Sequence, residues 1–171
     1  MTTGLTINKT INIMADKSKV WEALTNSNII KQYLFGAEVN SDWKVGSKII
    51  YSGNFDGIEF RDEGIINVLD FEKVFQYSYW SANHGTENIP ENHVVISYDI
   101  ISTDTGTTLE LTQKNYKSKE IAEGMNYIWD LILGNLKKLI EEHCDLWTEL
   151  RQDSMPAANK GLPNIAGSVV N

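Results

Sequence analysis

Residues 118–143 read SKEIAEGMNYIWDLILGNLKKLIEEH. Ile121, Met125, Ile128, Trp129, Ile132, Leu136, Leu139 and Ile140 recur at helical spacing. Glu120, Glu123, Lys137, Lys138, Glu141 and Glu142 fall largely on the opposite side. The pattern predicts one amphipathic helix of about 40 Å at ~1.5 Å rise per residue. Gly134 interrupts it at a cost of roughly 1 kcal/mol relative to alanine. It is either a tolerated surface glycine or a point of close approach by sheet or ligand. A lone long helix must bury its apolar stripe, and the residues before it offer a sheet as the only large surface. A helix gripped by a curved sheet often leaves a cavity between the two, and function is expected there.

Before the helix the period is two. Strands are expected at about 37–41, 47–55, 59–70, 73–80, 92–103 and 106–115. They are punctuated by Gly46, Asp56-Gly57, Asp70 to Lys73, the polar run Ser81 to Asn92 and Thr103 to Gly106. Loops this short favour successive antiparallel hairpins. Upstream, Leu5, Ile7, Ile11 and Ile13 alternate with Thr6, Asn8, Thr10 and Asn12 as in a half-buried strand, with Lys9 the one break. Asp16 or Ser18 can cap a helix carrying Val20, Trp21, Ala23 and Leu24, and a second short helix is expected over 29–34. The fold class is α+β, with a curved antiparallel sheet of about seven strands on a long C-terminal helix. Two short helices separate the first two strands.

The 171 residues suffice for one cored domain, expected over 1–147, with a flexible tail over 148–171 that is rich in Ala, Asn, Gly, Ser and Pro. Leu146, Trp147 and Leu150 could instead extend the helix or pack back on the domain. Hydrophobic residues make up 42% and charged residues 22%, which excludes a disordered chain. The net charge of -8 argues against nucleic acid and anionic membranes as partners. The single cysteine, Cys144, cannot form an intramolecular disulfide and reads as an ordinary half-buried residue. The N-terminal MTTGLTINKTINI has neither the basic nor the apolar region of a signal peptide, and no apolar run reaches transmembrane length. A cytoplasmic protein is the expectation.

The segments ADKSKVWEALTN (15–26), IIKQYLFG (29–36), SDWKVGSKIIYSG (41–53), RDEGIINVLDFEKVFQYSYW (61–80), GTTLELTQKNY (106–116) and GMNYIWDLILGNLKKLIEE (124–142) follow in a characteristic order. Over about 140 residues that order and spacing resembles the helix-grip fold of the START-related, SRPBCC superfamily. Within it, the chain is similar to the branch named for the activator of the heat-shock-protein-90 ATPase. The tail from Thr148 onward departs from the pattern. The superfamily includes lipid and hormone carriers, polyketide cyclases, stress-related proteins and a co-chaperone domain, so the resemblance implies the fold firmly and the function only loosely.

No nucleophile elbow, phosphate-binding glycine loop, HExxH pair or dinucleotide fingerprint occurs. His84 in a polar loop and His143 at a helix end read as solvated, the latter mildly favoured as a cation there. A metal site from His84, Glu87, Glu91 and His93 can be drawn, but a polar loop accounts for them more simply. No metal or cofactor is expected. Alternation puts Glu59, Arg61 and Glu63 on one strand face and Phe60, Asp62 and Gly64 on the other. If the first face points inward, Arg61 and Glu63 could orient a ligand or move a proton; if outward, they are a surface pair. Tyr51 lies in phase with Ile49 and Phe55, Tyr77 and Tyr79 with Phe75, Tyr98 with Val94, Ile96 and Ile100, and Gln113 with Leu109 and Leu111. Polar tips on such faces need partners, from a lined cavity or from solvent at the sheet rim. Met125 and Trp129 would form the opposite wall, and by the resemblance Tyr33 would close one mouth.

These residues point first to a protein that binds a small hydrophobic or amphipathic ligand without catalysing a reaction. A chaperone-interacting module using the outer surface is the alternative. The third expectation is a cyclase- or hydratase-type enzyme using Arg61, Glu63 or a pocket tyrosine.

Overall fold

The computed structural model describes residues 4–142. Strand β1 (Leu5–Ile13) leads into helices α1 (Lys17–Thr25) and α2 (Ser27–Tyr33). Six strands follow: β2 (Glu38–Ser41), β3 (Lys48–Phe55), β4 (Ile58–Asp70), β5 (Val74–Tyr79), β6 (Val94–Thr103) and β7 (Gly106–Tyr116). Helix α3 (Lys119–Glu142) closes the described chain. All seven strands join in one antiparallel sheet of order β1-β7-β6-β5-β4-β3-β2, so the first strand pairs with the last. This is the α+β arrangement that the pattern of periods predicts.

Register follows from turn chemistry. Asp56 and Gly57 both take positive φ, at 52° and 82°, as a two-residue hairpin turn requires. That turn pairs Phe55 with Ile58 and, counting back, Tyr51 with Asp62. The sheet bends where β4 leaves β3 for β5, at a register shift between Ile66 and Val68. Gly64 sits just before the bend, and a Cβ there would lie 1.6 Å from the Ser78 carbonyl oxygen. Only glycine lets the two backbones approach so closely.

Helix α3 lies chiefly along β1 and also touches β7, α1 and α2. Its inner stripe buries Trp129, Ile132, Leu133, Leu136 and Ile140. Three polar ties fix its register on β1. Lys9 Nζ pairs with Asp130 at 2.7 Å, Lys137 Nζ donates to the Asn12 carbonyl at 2.7 Å, and the Met14 amide donates to Glu141 at 2.8 Å. Lys9, the odd residue in the alternation of β1, is therefore the strand's partner for the helix. Ile128, expected in the apolar stripe, is instead 37% exposed on the flank of α3. Gly134 meets open space, as a surface glycine does.

Smaller expectations also shift. Asp16 occupies the cap position of α1 but makes no side-chain cap bond. Asn26 caps α2, which starts at Ser27, by accepting from the Asn28 amide at 3.0 Å. Two 3-10 helices, Ala82–His84 and Pro90–Asn92, organise the run read as a plain polar loop. His143, Cys144, Leu146, Trp147, Leu150 and the proposed tail lie outside the described residues.

Candidate functional site

The inner face of the sheet is built in rows. Leu69, Phe75, Tyr98 and Leu111 are successive register partners in one row, and Ile66, Tyr77, Ile96, Gln113 and Ile7 in the next. Tyr79 pairs with Val94 one row further on, and Tyr51 pairs with Asp62 on the outlying strands. The rings form a connected wall. Phe75 packs on Tyr77 and Tyr98 with centroids 5.0 and 6.0 Å away, and Tyr51 stacks on Tyr77 at 5.8 Å. Tyr51 also meets the edge of Tyr79 at 6.2 Å. Phe55, on the same parity as Tyr51, is 56% exposed at the hairpin tip, where it packs on Phe35 instead.

The polar tips on this wall find few partners of ordinary kind. The hydroxyls of Tyr51, Tyr77 and Tyr98 are linked to one another through Tyr77. Burial pushes the ionisation of all three well above the usual tyrosine range, so each is a neutral donor. Tyr33 is also buried beside this group, and its hydroxyl donates to the Ala23 carbonyl at 3.0 Å, tying α2 to α1. Trp129 donates its indole N–H to Gln113 Oε1 and sets its ring edge-on to Tyr98 at 6.2 Å. Trp129 is thus buried under α3 at this level, whereas Met125 is only half-buried.

Two polar atoms remain orphaned. Gln113 Nε2 and the Tyr116 hydroxyl are buried without a hydrogen-bond partner, in side chains that are 1% and 3% exposed. An unpaired buried donor costs about 1–3 kcal/mol. Tyr116 lies close enough to Tyr79 to bear on its ionisation, which places these two at one end of the wall.

Asp62 occupies that end too. It is 7% exposed, and the Tyr79 hydroxyl donates to its Oδ2. Burial, then the neighbouring Asp62 charge, raise the Tyr79 ionisation well above its usual range. His84 closes the group, edge-on to Tyr79 at 6.4 Å. Burial lowers its pKa and the Asp62 carboxylate opposes the shift. The polar-loop expectation for His84 is thereby corrected: the Ala82–His84 turn, capped by Ser81 and ended by Gly85 at φ 68°, folds its ring inward.

The structure separates the other sequence candidates from this wall. Arg61 is exposed and shares with Glu63 the face opposite Asp62, and Glu63 accepts from Asn88 there. His93 contacts Asn88 Oδ1 at 2.7 Å and Ser78 Oγ at 3.3 Å. No group of three or more His, Cys, Asp or Glu side chains is placed to hold a metal ion among the described residues. Asp62 and Tyr116 were not singled out as candidates, although the signal for Asp62 was present. The Asp56-Gly57 turn fixes it opposite Tyr51, on the parity opposite Arg61. Tyr116 ends its strand beyond the expected boundary at 115, where alternation alone gives no direction.

A curved antiparallel sheet gripping one long helix is the helix-grip fold of the START-related, SRPBCC superfamily. The family model described as Activator of Hsp90 ATPase homolog 1-like protein matches residues 14–141, and the chain belongs to that family. Among solved structures it is similar to ChR145 from Cytophaga hutchinsonii, at 35% identity and TM-score 0.72, covering 84% of this chain and 99% of that one. The Aha1 dimer from Colwellia psychrerythraea shares the fold at 23% identity and TM-score 0.66, covering 81% and 97%. A Staphylococcus aureus protein of unknown function, SA2116, does so at 18% and 0.67, covering 82% and 96%. No curated protein matches the chain. No helix among the described residues is long and apolar enough to cross a membrane.

Proposed function

We propose that the protein binds a small hydrophobic or amphipathic molecule against the inner face of the sheet. Tyr51, Tyr77, Tyr79, Tyr98 and Gln113 form one side of the site, Met125 and Trp129 the helix side, and Tyr33 closes it. The observation that carries this reading is the pair of orphaned polar atoms, Gln113 Nε2 and the Tyr116 hydroxyl, on β7 beside a continuous aromatic wall. A ligand with apolar bulk and one or two polar atoms would satisfy both kinds of surface. Native mass spectrometry of the purified protein and a thermal-shift screen of lipidic and aromatic compounds test it. Ligand at about 100 times its Kd adds ~2.7 kcal/mol, or about 5–10 °C in Tm for a chain of this size. No bound molecule and no stabilisation by any compound would reject the reading.

A second reading is an interaction module for a chaperone, as the family's description suggests. Exposed Phe35, Phe55 and Ile58 favour it, with Phe35, just after α2, 5.4 Å from Phe55 at the tip of the β3–β4 hairpin. Pull-down with Hsp90 and an ATPase assay would decide it, and absence of both binding and stimulation rejects it. A cyclase or hydratase built on Arg61 and Glu63 draws no support from their position on the outer face.

A further inference from the structure

We propose that the ligand of this site is an amphipathic organic amine, its ammonium group held between the Asp62 carboxylate and the rings of Tyr51 and Tyr79. The proposal rests on the pocket reading above and adds the chemistry of the head group.

Asp62 is a charged side chain on the β4 part of this inner face, and it is 7% exposed. Its described partner is a phenol, the Tyr79 hydroxyl. A carboxylate offers about four lone-pair sites, and one phenolic O–H occupies a single one of them. No lysine or arginine among the described residues pairs with it. Arg61, its chain neighbour, points to the opposite face and is exposed. A carboxylate taken out of water without a cation is costly, so a cationic ligand gains what the fold itself leaves unfilled.

The surroundings suit an ammonium better than a metal ion or a water cluster. Tyr51 is the register partner of Asp62, which sets their Cβ atoms about 5 Å apart. The Tyr51 and Tyr79 rings meet at 69°, making an aromatic corner beside the carboxylate. Rings so placed attract organic cations through their negative faces, and desolvation strengthens the effect. His84, edge-on to Tyr79, does not supply the missing charge, because burial lowers its pKa despite the Asp62 carboxylate. The apolar body of the amine would then run along Tyr77, Phe75 and Tyr98. Gln113 Nε2 is a donor and would select a hydroxyl, ether or carbonyl acceptor in that body. The net charge of -8 draws cations toward the molecule from a distance.

Calorimetric titration of the full chain at pH 7.5 with 4-phenylbutylamine, 4-phenylbutanol and 4-phenylbutyrate tests the head group directly. The amine is expected to bind at least about tenfold more tightly than the alcohol, since a charged hydrogen bond is worth more than a neutral one, and the carboxylate is expected to bind most weakly. Asp62→Asn should erase the preference for the amine and leave the alcohol unchanged. Should Asp62→Asn fail to fold, Tyr79→Phe asks the same question. Freeing the carboxylate of its phenol should raise the ratio of amine to alcohol affinity, and an unchanged or lower ratio overturns the proposal. Equal affinity for amine and alcohol, tighter binding of the carboxylate, or a preference that survives Asp62→Asn would each overturn it too while leaving the pocket standing. Binding of none of the three overturns the amine head group, and the pocket reading falls with it only if the wider screen also finds no stabilising compound.

Discussion

The two ends of the inner sheet face are built from similar residues to different effect. Under α3, β1 and β7 present Ile7, Ile13, Leu109 and Leu111 to Trp129, Leu133 and Leu136, all buried and, except for the Trp129 indole N–H, without polar atoms. Toward β3, β4 and β5 the same alternation presents buried Tyr51, Tyr77 and Asp62 and half-buried Tyr79, polar at every tip. Apart from the unpaired Nε2 of Gln113 on β7, the first half needs no partner beyond itself. The second carries hydroxyls and a carboxylate that only each other, or a guest, can satisfy. Stability should therefore concentrate in the helix-covered half and recognition in the other.

The sharpest way to break that contrast is Leu136→Ala. Leu136 is fully buried, and removing its side chain should cost about 2–5 kcal/mol, read as a fall in urea midpoint at constant slope. A loss under 1 kcal/mol would mean the helix-covered half is not the stability centre. Alkali tests the other half. Six of the seven tyrosines have ionisation raised chiefly by burial. Their phenolic protons are held more tightly folded than unfolded, so they contribute stability in full below pH 10 that is lost as pH rises beyond it. Absorbance at 295 nm should show one slow cooperative rise coincident with unfolding. Reversible titration of several tyrosines at pH 10 in the folded protein would show the wall to be open to solvent.

Much of this was legible before the fold was known, and the boundary of legibility is physical. A period of 3.6 set against a period of two places α3 over the sheet, because each demands one buried face. Two-residue turns fix register, so Tyr51 opposite Asp62 was readable from Asp56-Gly57. Ile128 was misjudged because periodicity gives a stripe and not its width. His84 was misjudged because its direction depends on a one-turn 3-10 helix within a 14-residue connection, where nothing local sets the path back to β6. The orphaned state of Gln113 and Tyr116 was beyond reach altogether. Whether a buried polar atom finds a partner depends on distances across strands far apart in the chain.

A smaller effect sharpens the comparison further. Tyr77→Phe removes the hydroxyl that links Tyr51 to Tyr98 while keeping the ring in the wall. It should cost about 1 kcal/mol in urea unfolding, the worth of a neutral hydrogen bond. That loss is well below the loss expected for Leu136→Ala. A cost as large as that of Leu136 would mean the tyrosine network is structural framework rather than a surface kept for a guest.

Tyr116→Phe should do least to the empty protein and is for that reason the most telling. The Tyr116 hydroxyl is buried with no partner, so the folded state already bears its desolvation. Deleting it removes a cost and no bond, and stability should stay within about 0.5 kcal/mol or rise slightly. Ligand binding should behave oppositely, weakening if the guest supplies the hydroxyl's partner. Thermal unfolding with and without a stabilising compound separates the two effects in one experiment. A marked loss of stability in the empty protein would show that the hydroxyl already has a partner at home. The end of β7 beside Tyr79 would then keep no hydroxyl free for a guest.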